Sequence, residues 1–158
     1  MAIRKILISP NETLKKKSKE VKVIDKNTSI LLDDMYDTML ANDGCGLAAV
    51  QIGVLKRIIV IEVNGIKLEL INPVITARSG ENVDVEACLS VKGVQGYVKR
   101  PDKVTVSAFD RYGNQFEFTG RGLMAKCICH ECDHLEGVLF TDIMIELYIH
   151  KSSKKDKK

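Results

Sequence analysis

The stretch RIIVIEVNGIKLELI (residues 57–71) decides the fold. Its halves, RIIVIEV (57–63) and IKLELI (66–71), are rich in the apolar and β-branched residues that strands favour, and they flank Asn64-Gly65. Asn-Gly is the preferred pair in two-residue type I′ turns, because both central positions need a positive φ. The stretch therefore predicts an antiparallel hairpin.

A second hairpin is predicted further along the chain. KVTVSAF (103–109) and QFEF (115–118) have the composition of strands, and the residues between them read Asp-Arg-Tyr-Gly-Asn. Asp, Gly and Asn are typical of turns, because they form local hydrogen bonds or adopt a positive φ.

A helix is expected to precede these strands. Residues 27–43 begin with residues typical of helix N-termini, and Gly44 is expected to end the helix. The side chains at helical spacing are Ile30, Leu31, Met35, Thr38 and Met39.

A second helix is expected to follow the strands. It would open at Thr119 or Gly120 and run to about Leu135, with Gly137 just beyond its C-terminus. The order of helix, several antiparallel strands and helix predicts an α+β fold.

The charge of the chain is concentrated at its end. The net charge of the 158 residues is only +3, but the last eight residues, KSSKKDKK (151–158), carry +4. The molecule as a whole therefore does not resemble a nucleic-acid-binding protein. The tail is expected to be a solvated, disordered end, and the alternative is a weak contact with an anionic partner such as ribosomal RNA.

The sequence shows no export signal and no membrane span. MAIRKILISP (1–10) lacks a long apolar run, and no segment approaches the roughly 20 apolar residues that a spanning helix needs. Five cysteines are an odd number, so free thiols are more plausible than a disulfide framework. The expected location is the cytoplasm.

The stretch CICHECDHLEG (127–137) contains an H-E-x-x-H motif at residues 130–134. Positions four apart return to the same face of a helix, so His130 and His134 could grip one metal ion. Glu131 would then lie where it could reach a water at that ion. The alternative is an ordinary polar helix face, because the motif also arises by chance.

The motif does not by itself supply a third ligand. Where the long zinc-protease pattern has another His after the Gly, this chain has Phe140. Glu146 has no surrounding pattern typical of a ligand, and His150 adjoins the lysine-rich tail.

The cysteines of the helix sort by the same spacing. Cys129 and Cys132 should point away from the histidine face and act as small core residues. Cys127 and Leu123 should share the histidine face, one and two turns earlier, and line an apolar pocket.

Three segments together resemble the peptide deformylase family. The family carries G-x-G-L-A-A-x-Q, E-G-C-L-S and Q-H-E-x-D-H-L-x-G in this order, and the matching segments here are GCGLAAVQ (44–51), EACLS (86–90) and CHECDHLEG (129–137). The resemblance spans nearly the whole chain. It implies one catalytic domain over residues 1–150, with antiparallel sheets packed around the central C-terminal helix that bears H-E-x-x-H.

The resemblance also implies a ligand set and a reaction. Cys88, His130 and His134 would hold one divalent ion, with Fe²⁺ expected in the cell and Zn²⁺, Ni²⁺ or Co²⁺ as alternatives. Glu131 would act as the general base. The reaction would remove the formyl group from N-formylmethionyl peptides and release formate.

Further roles follow from the resemblance. The Leu89 backbone N–H and the Gln51 side-chain amide would stabilise the oxyanion of the transition state. The peptide would pair with main chain at Cys45-Gly46 and Ala87 as an added strand.

The methionine side chain of the substrate would occupy an apolar slot. Leu123 and Cys127 are the expected walls of this slot, with Val85 or Val91 as weaker candidates.

Two residues depart from the family pattern. Ala87 replaces a Gly and would cost activity if that position needs a positive φ or close approach to substrate, and Cys129 replaces a Gln before the first His. These two substitutions are expected to change details of the site without abolishing activity. The alternatives are a deformylase-like protein with reduced or lost activity, a zinc endopeptidase, and a module with a structural metal.

Overall fold

The computed structural model describes residues 2–149. The helices in this part of the chain are α1 (Lys26–Ala41), α2 (Leu123–Leu135) and α3 (Phe140–Ile143). The strands are β1 (Gly46–Ala48), β2 (Ile58–Val63), β3 (Ile66–Ser79), β4 (Asn82–Cys88), β5 (Val91–Arg100), β6 (Lys103–Phe109), β7 (Gln115–Arg121) and β8 (Glu146–Leu147). The 3-10 turns span Glu12–Lys15 and Ala49–Ile52. The tail at 151–158, for which a disordered end was predicted, lies outside the described residues.

The strands form two antiparallel sheets. One has the order β1-β2-β3-β6-β7 and the other the order β4-β5-β8. Both predicted hairpins are confirmed. Asn64 and Gly65 have φ values of 52° and 80° between β2 and β3, as a type I′ turn requires. In the second hairpin Phe109 pairs with Gln115.

Strand β3 is longer than predicted. It continues eight residues beyond Ile71, through Asn72 and Pro73, and its pairing with β6 shifts register at this point. Asn72 adopts a φ of 52°, and its side chain bonds the backbone N–H and carbonyl of Val21. A bulge held by this amide lets the strand pass a proline that would otherwise end it.

Strand β2 of the larger sheet is buried on both faces, which explains its uninterrupted apolar run. Side chains alternate between the faces of a strand. Ile58 and Val60 pack with the core residues of α1, whereas Ile59 and Ile61 pack with those of α2. The run therefore reads as a strand between two helical layers.

Helix α1 is shifted by one or two residues from its predicted bounds. Its N-cap is Asp25, whose carboxylate accepts hydrogen bonds from the backbone of Asn27 and Thr28. The expectation that Gly44 ends the helix is wrong, because the chain leaves the helix after Ala41. Asp43 takes the positive φ of 56° that a glycine usually supplies.

The predicted core face of α1 is correct except at one position. Leu31, Met35, Thr38 and Met39 are buried, whereas Ile30 is 45% exposed. Leu32, which was not among the predicted residues, takes its place in the core.

Helix α2 begins later than predicted. Thr119 and Gly120 belong to β7, where they pair with Thr105 and Val104 of β6. These two residues stay in the strand because they continue the antiparallel pairing of β7 with β6. Gly122, with a φ of 56°, makes the turn from the strand into the helix.

Helix α2 lies between the two sheets. Ile128, Cys129 and Leu135 pack in the core of the larger sheet. On the side of the smaller sheet, Arg100 of β5 bonds the carboxylate of Asp133 at 2.6 Å. The predicted α+β class and the central position of the helix are confirmed. No helix within residues 2–149 combines the length and apolar character needed to cross a membrane.

Candidate metal centre and active site

Three potential ligands converge beside the centre of α2. Cys88, at the last position of β4, and His130 and His134, one turn apart on α2, place one ligand atom each within 4.8 Å of the others. The Cys88 sulfur lies 3.4 Å from Nε2 of His134. The hairpin turn at Leu89-Ser90 between β4 and β5 brings the sulfur to the helix. The structure thus brings together the set implied by the resemblance.

A hydrogen bond to Glu86 orients the ring of His130. Its Nδ1 lies 2.8 Å from Oε1 of Glu86, which leaves Nε2 as the ring nitrogen free for a metal. Glu86 is itself fixed by Arg100, whose Nε and Nη2 donate to its two carboxylate oxygens at 2.8 and 2.9 Å. Arg100 also bonds Asp133 on the next turn of α2. This buried chain of bonds fixes β4, β5 and α2 at the site.

Sequence reasoning did not assign a role to Glu86, Arg100 or Asp133. One signal was present, because Glu86 lies two residues before Cys88, and residues two apart in a strand point to the same side. The partner of Glu86 could not be found in this way. Arg100 lies on a different strand, and periodicity carries no information about which side chains meet across strands.

The charges of this network are set by its hydrogen bonds. Burial alone would raise the pKa of Glu86, but bonds from Arg100 and His130 outweigh it and bring the pKa to about 2. The pKa of Arg100 is raised by the two carboxylates despite its burial. Burial likewise opposes a charge on His130, yet bonds to Cys88 and Glu86 hold its pKa well above the usual value.

His134 behaves in the opposite way. Burial, with the nearby positive charges of His130 and Arg100, lowers its pKa well below the usual value. A neutral imidazole is the form that binds metals. Its Nδ1 is buried without a hydrogen-bond partner among the described residues, so only its Nε2 is engaged, toward Cys88.

Glu131 is a buried carboxyl group without a bonding partner for one oxygen. The residue is 5% exposed, and Oε1 has no hydrogen-bond partner among residues 2–149. Burial raises its pKa to about 7, although the nearby His130 acts in the other direction. A carboxyl group of this pKa can both accept and return a proton near neutral pH.

Glu131 packs directly against the start of β1. A methyl group added at Gly46 would lie 2.6 Å from Oε2 of Glu131, closer than real side chains approach. Gly46 therefore gives the carboxylate the room that it occupies.

The two predicted oxyanion donors lie near the cysteine. The buried Gln51 accepts from the Ala48 N–H through Oε1 at 2.9 Å, which fixes the direction of its NH₂ group. That group donates to Ser90 Oγ at 3.1 Å and lies 3.7 Å from the Cys88 sulfur. Leu89 follows Cys88 and lines the same cavity.

A cavity of about 310 Å³ opens over these groups. Apart from the weaker slot candidates, every residue predicted for the site lines it except His134, which is 1% exposed. The lining predicted by helix spacing or resemblance comprises Cys45, Gly46, Gln51, Ala87, Cys88, Leu89, Leu123, Cys127, His130 and Glu131. Of the weaker candidates Val85 lines the cavity, whereas Val91 packs in a separate core with Leu14 and Phe140.

The cysteines of α2 divide as the helix spacing predicts. Cys129 is buried in the core of the larger sheet, and Cys132 packs against it. Cys127 instead faces the cavity, where its sulfur lies 3.1 Å from the sulfur of Cys45. The bond from Cys127 lowers the pKa of Cys45 to about 6 despite partial burial, and the same contact raises the pKa of Cys127.

Of the downstream candidates, Glu146 and Phe140 do not join the ligand cluster. Glu146 lies in β8, where it pairs with Tyr97, and is exposed. The ring of Phe140 stacks on His130 with centroids 6.2 Å apart. His150 lies outside the described residues.

The departures from the family pattern fit the structure. Ala87 is an exposed residue of β4 and has no positive φ, so its methyl group causes no backbone strain. Cys129 occupies an apolar position, where burial raises the pKa of its thiol. Neither position supplies one of the three ligand atoms.

The donor set is chemically suited to one divalent ion. A thiolate and two imidazoles match the borderline-soft divalent ions of the first transition row. No fourth His, Cys, Asp or Glu joins the cluster within the described chain. A site with three protein ligands keeps a coordination position for water or substrate, as catalytic metals require. The fold and this cluster together are those of a candidate metal-dependent hydrolase.

Comparison with known proteins gives the family. The Polypeptide deformylase family matches residues 3–149. The peptide deformylase of Caldicellulosiruptor bescii is 52% identical over 145 residues, covering 92% of this chain and 87% of that protein. Peptide deformylase 1 of Bacillus subtilis is 47% identical over 150 residues, covering 94% of each chain.

Solved structures agree with the sequence comparisons. A peptide deformylase from Legionella pneumophila superposes with a TM-score of 0.88 at 47% identity, over 90% of this chain and 86% of that one. The peptide deformylase from Thermotoga maritima gives a TM-score of 0.89 at 31% identity, over 91% and 99% of the two chains. The chain belongs to the peptide deformylase family. It is a metal-dependent hydrolase that removes the N-formyl group from N-formylmethionyl nascent peptides.

Proposed function

We propose that Cys88, His130 and His134 hold the metal ion of this deformylase and that Glu131 is its general base. The single observation that carries the assignment is the convergence of these three ligand atoms within 4.8 Å, beside a buried carboxyl group with an unpaired oxygen. Residues 1–150 form the catalytic domain in this proposal, with residues 151–158 as a basic tail.

Fe²⁺ is the proposed ion in the cell, with Zn²⁺, Ni²⁺ and Co²⁺ as ions that the same donors accept. The choice of Fe²⁺ follows the resemblance to the deformylases, and the set of one sulfur and two imidazole nitrogens can accept each of these ions. When bound, the ion supplies Lewis acidity, which lowers the pKa of a water and polarises the formyl oxygen.

Glu131 moves the protons of the reaction. It takes a proton from the attacking water and later returns it to the departing amine, so that formate and a free methionyl N-terminus result. Its pKa of about 7 suits both steps, because the proton is held neither too tightly nor too loosely at neutral pH.

The oxyanion is stabilised by the Gln51 side-chain amide and the Leu89 backbone N–H. The bond from Ala48 to Oε1 holds the amide of Gln51 with its NH₂ group toward Cys88. A donor that is already oriented does not have to reorganise as negative charge develops on the substrate oxygen.

The peptide binds as an added strand between the two sheets. Both β1 and β4 are edge strands, and Cys45, Gly46 and Ala87 line the cavity at these edges. Leu123 and Cys127 form walls of the slot for the methionine side chain. A formyl group carries only hydrogen on its carbonyl carbon, so the enclosed carboxyl of Glu131 leaves room for it and not for larger acyl groups.

The assignment is tested with formyl-Met-Ala-Ser and anaerobically prepared protein. Glu131→Gln should retain the metal but release formate about 10²–10⁴ times more slowly, because it cannot accept a proton. Glu117→Gln makes the same chemical change at an exposed position of β7 and should match the wild type.

Two results would contradict the proposal. Equal turnover by the Glu131→Gln variant would remove Glu131 as the base. Wild-type protein that binds metal but releases no formate would favour a deformylase-like protein with lost activity.

We also propose that the enzyme acts in the cytoplasm, where N-formylmethionyl chains emerge during translation. The basic tail at 151–158 would make a weak contact with the ribosome there. This part of the proposal rests on its net charge of +4.

A further inference from the structure

Two thiols meet at the wall of the substrate cavity. The sulfur of Cys45, an exposed residue just before β1, lies 3.1 Å from the sulfur of the buried Cys127 on α2. A disulfide bond has a length of about 2.05 Å, so an approach of about 1 Å would join them.

We propose that Cys45 and Cys127 form a redox-sensitive dithiol site, which hydrogen peroxide converts to a disulfide that slows deformylation. The Cys45 thiolate attacks one peroxide oxygen, giving a sulfenic acid and releasing water once the leaving oxygen is protonated. Cys127 then attacks the Cys45 sulfur, and the sulfenic oxygen leaves as a second water. Two thiols and one peroxide therefore give one disulfide and two waters.

The chemistry of the pair suits this order of steps. Cys45 is the exposed member and reaches peroxide first. The hydrogen bond from Cys127 favours its thiolate, the form that reacts. Cys127 is already at the Cys45 sulfur as the resolving thiol. Cys129 and Cys132 have no such partner within the described residues and lie against the apolar core.

The position of the bond couples it to the reaction. Gly46, the residue after Cys45, already packs against Glu131 so closely that an added methyl group would lie 2.6 Å from its carboxylate. Drawing Cys45 about 1 Å toward α2 therefore presses the Gly46 backbone onto the carboxyl of Glu131. The bond also ties two walls of the cavity together.

The claim that the disulfide slows deformylation rests on the proposed roles of Glu131 and the cavity. The claim that the disulfide forms does not rest on them. Disulfide formation can be measured without turnover, so each claim can be contradicted without the other.

The experiment uses the nickel-loaded full-length enzyme, because Ni²⁺ resists the oxidation that affects Fe²⁺. The protein is treated with hydrogen peroxide, alkylated, and digested without reductant for mass spectrometry. The expected product links the peptides that contain Cys45 and Cys127, with a mass loss of two hydrogens. Formate release should fall about 10- to 100-fold, because displacements near 1 Å at reacting groups have effects up to about 10². A dithiol reductant should restore it.

Matched variants separate this site from other oxidation. Cys45→Ser and Cys127→Ser, each compared with its own untreated sample, should form no linked peptide and keep their activity after peroxide. Cys129→Ser should still form the bond and lose activity as the wild type does, because Cys129 faces the core.

Three outcomes are decisive. Absence of the linked peptides from oxidised wild type would overturn the dithiol site. A linked protein with unchanged formate release would overturn its effect on catalysis. An untreated enzyme without turnover would count against the proposed function alone, because the mass measurement does not depend on it.

Discussion

The residues around His130 show what sequence could and could not reveal. Helix spacing alone places His130 and His134 on one face, and both contribute to the cluster. Cys88 lies 42 residues before His130 and reaches it through the meeting of a sheet with a helix. No periodicity predicts such a contact, and only the resemblance suggested it.

Glu86 is the residue with the largest role that sequence reasoning missed. It accepts from Nδ1 of His130 and from Nε and Nη2 of Arg100, and it is only 3% exposed. Partners of this kind hold a metal-binding imidazole in one tautomer and raise its basicity.

Glu86→Gln should weaken metal binding about 10- to 100-fold, because the neutral amide orients His130 less firmly. The measurement is competition for zinc with a chelator of known affinity. Glu69→Gln is the matched control, because Glu69 forms the same two-armed pair with Arg111 at a distance from the ligands. Equal zinc affinity for wild type and Glu86→Gln would contradict the role given to Glu86.

At the scale of elements, the sequence predicted strands better than their ends. The hairpins at 57–71 and 103–118 follow from turn chemistry, which is local. The start of α2 was wrong by three or four residues, because pairing of β7 with β6 retained Thr119 and Gly120 in the strand. Tertiary pairing decides such boundaries, and local patterns do not record it.

The contact between β1 and α2 is an element-level feature of the site. Gly46 allows β1 to approach Glu131 closely. The Gly-x-Gly pattern does not predict this contact, because the same pattern is also typical of a turn. The glycine is needed here for space and not for its φ, which is not positive.

Gly46→Ala should reduce kcat/KM for formyl-Met-Ala-Ser by about 10²-fold, since displacement of a reacting group near 1 Å has effects of this size. Gly113→Ala serves as the control. It strains a turn with a φ of 83° and costs about 1 kcal/mol of stability, but it should leave kcat/KM unchanged. If Gly46→Ala is as active as the wild type, the close contact with Glu131 does not limit the reaction.

At the scale of the whole molecule, most of the architecture was accessible from the sequence. The α+β class follows from the order of elements, and the central position of the helix was implied by the resemblance. More than one antiparallel sheet was expected from the resemblance, but the assignment of each strand to one of the two sheets was not predicted. The assignment depends on which strands pair with one another in the folded molecule, and local sequence patterns do not record these pairings.

Deletion of residues 151–158 tests the basic tail. Hydrolysis of short formyl peptides should be unchanged, because the residues proposed for catalysis and substrate binding lie between Cys45 and His134. Ribosome binding in co-sedimentation should weaken and lose much of its dependence on salt, because the deletion removes a net charge of +4. Identical salt curves for the full-length and shortened proteins would leave the tail as a solvated end.

The central claim is that one sulfur and two ring nitrogens share a single cation, and X-ray absorption at the zinc edge of zinc-loaded protein tests it most directly. We predict one sulfur at about 2.3 Å and two imidazole nitrogens at about 2.0–2.1 Å. The sulfur should disappear in Cys88→Ser. A spectrum with nitrogen and oxygen neighbours only, or a sulfur that persists in Cys88→Ser, would contradict the account.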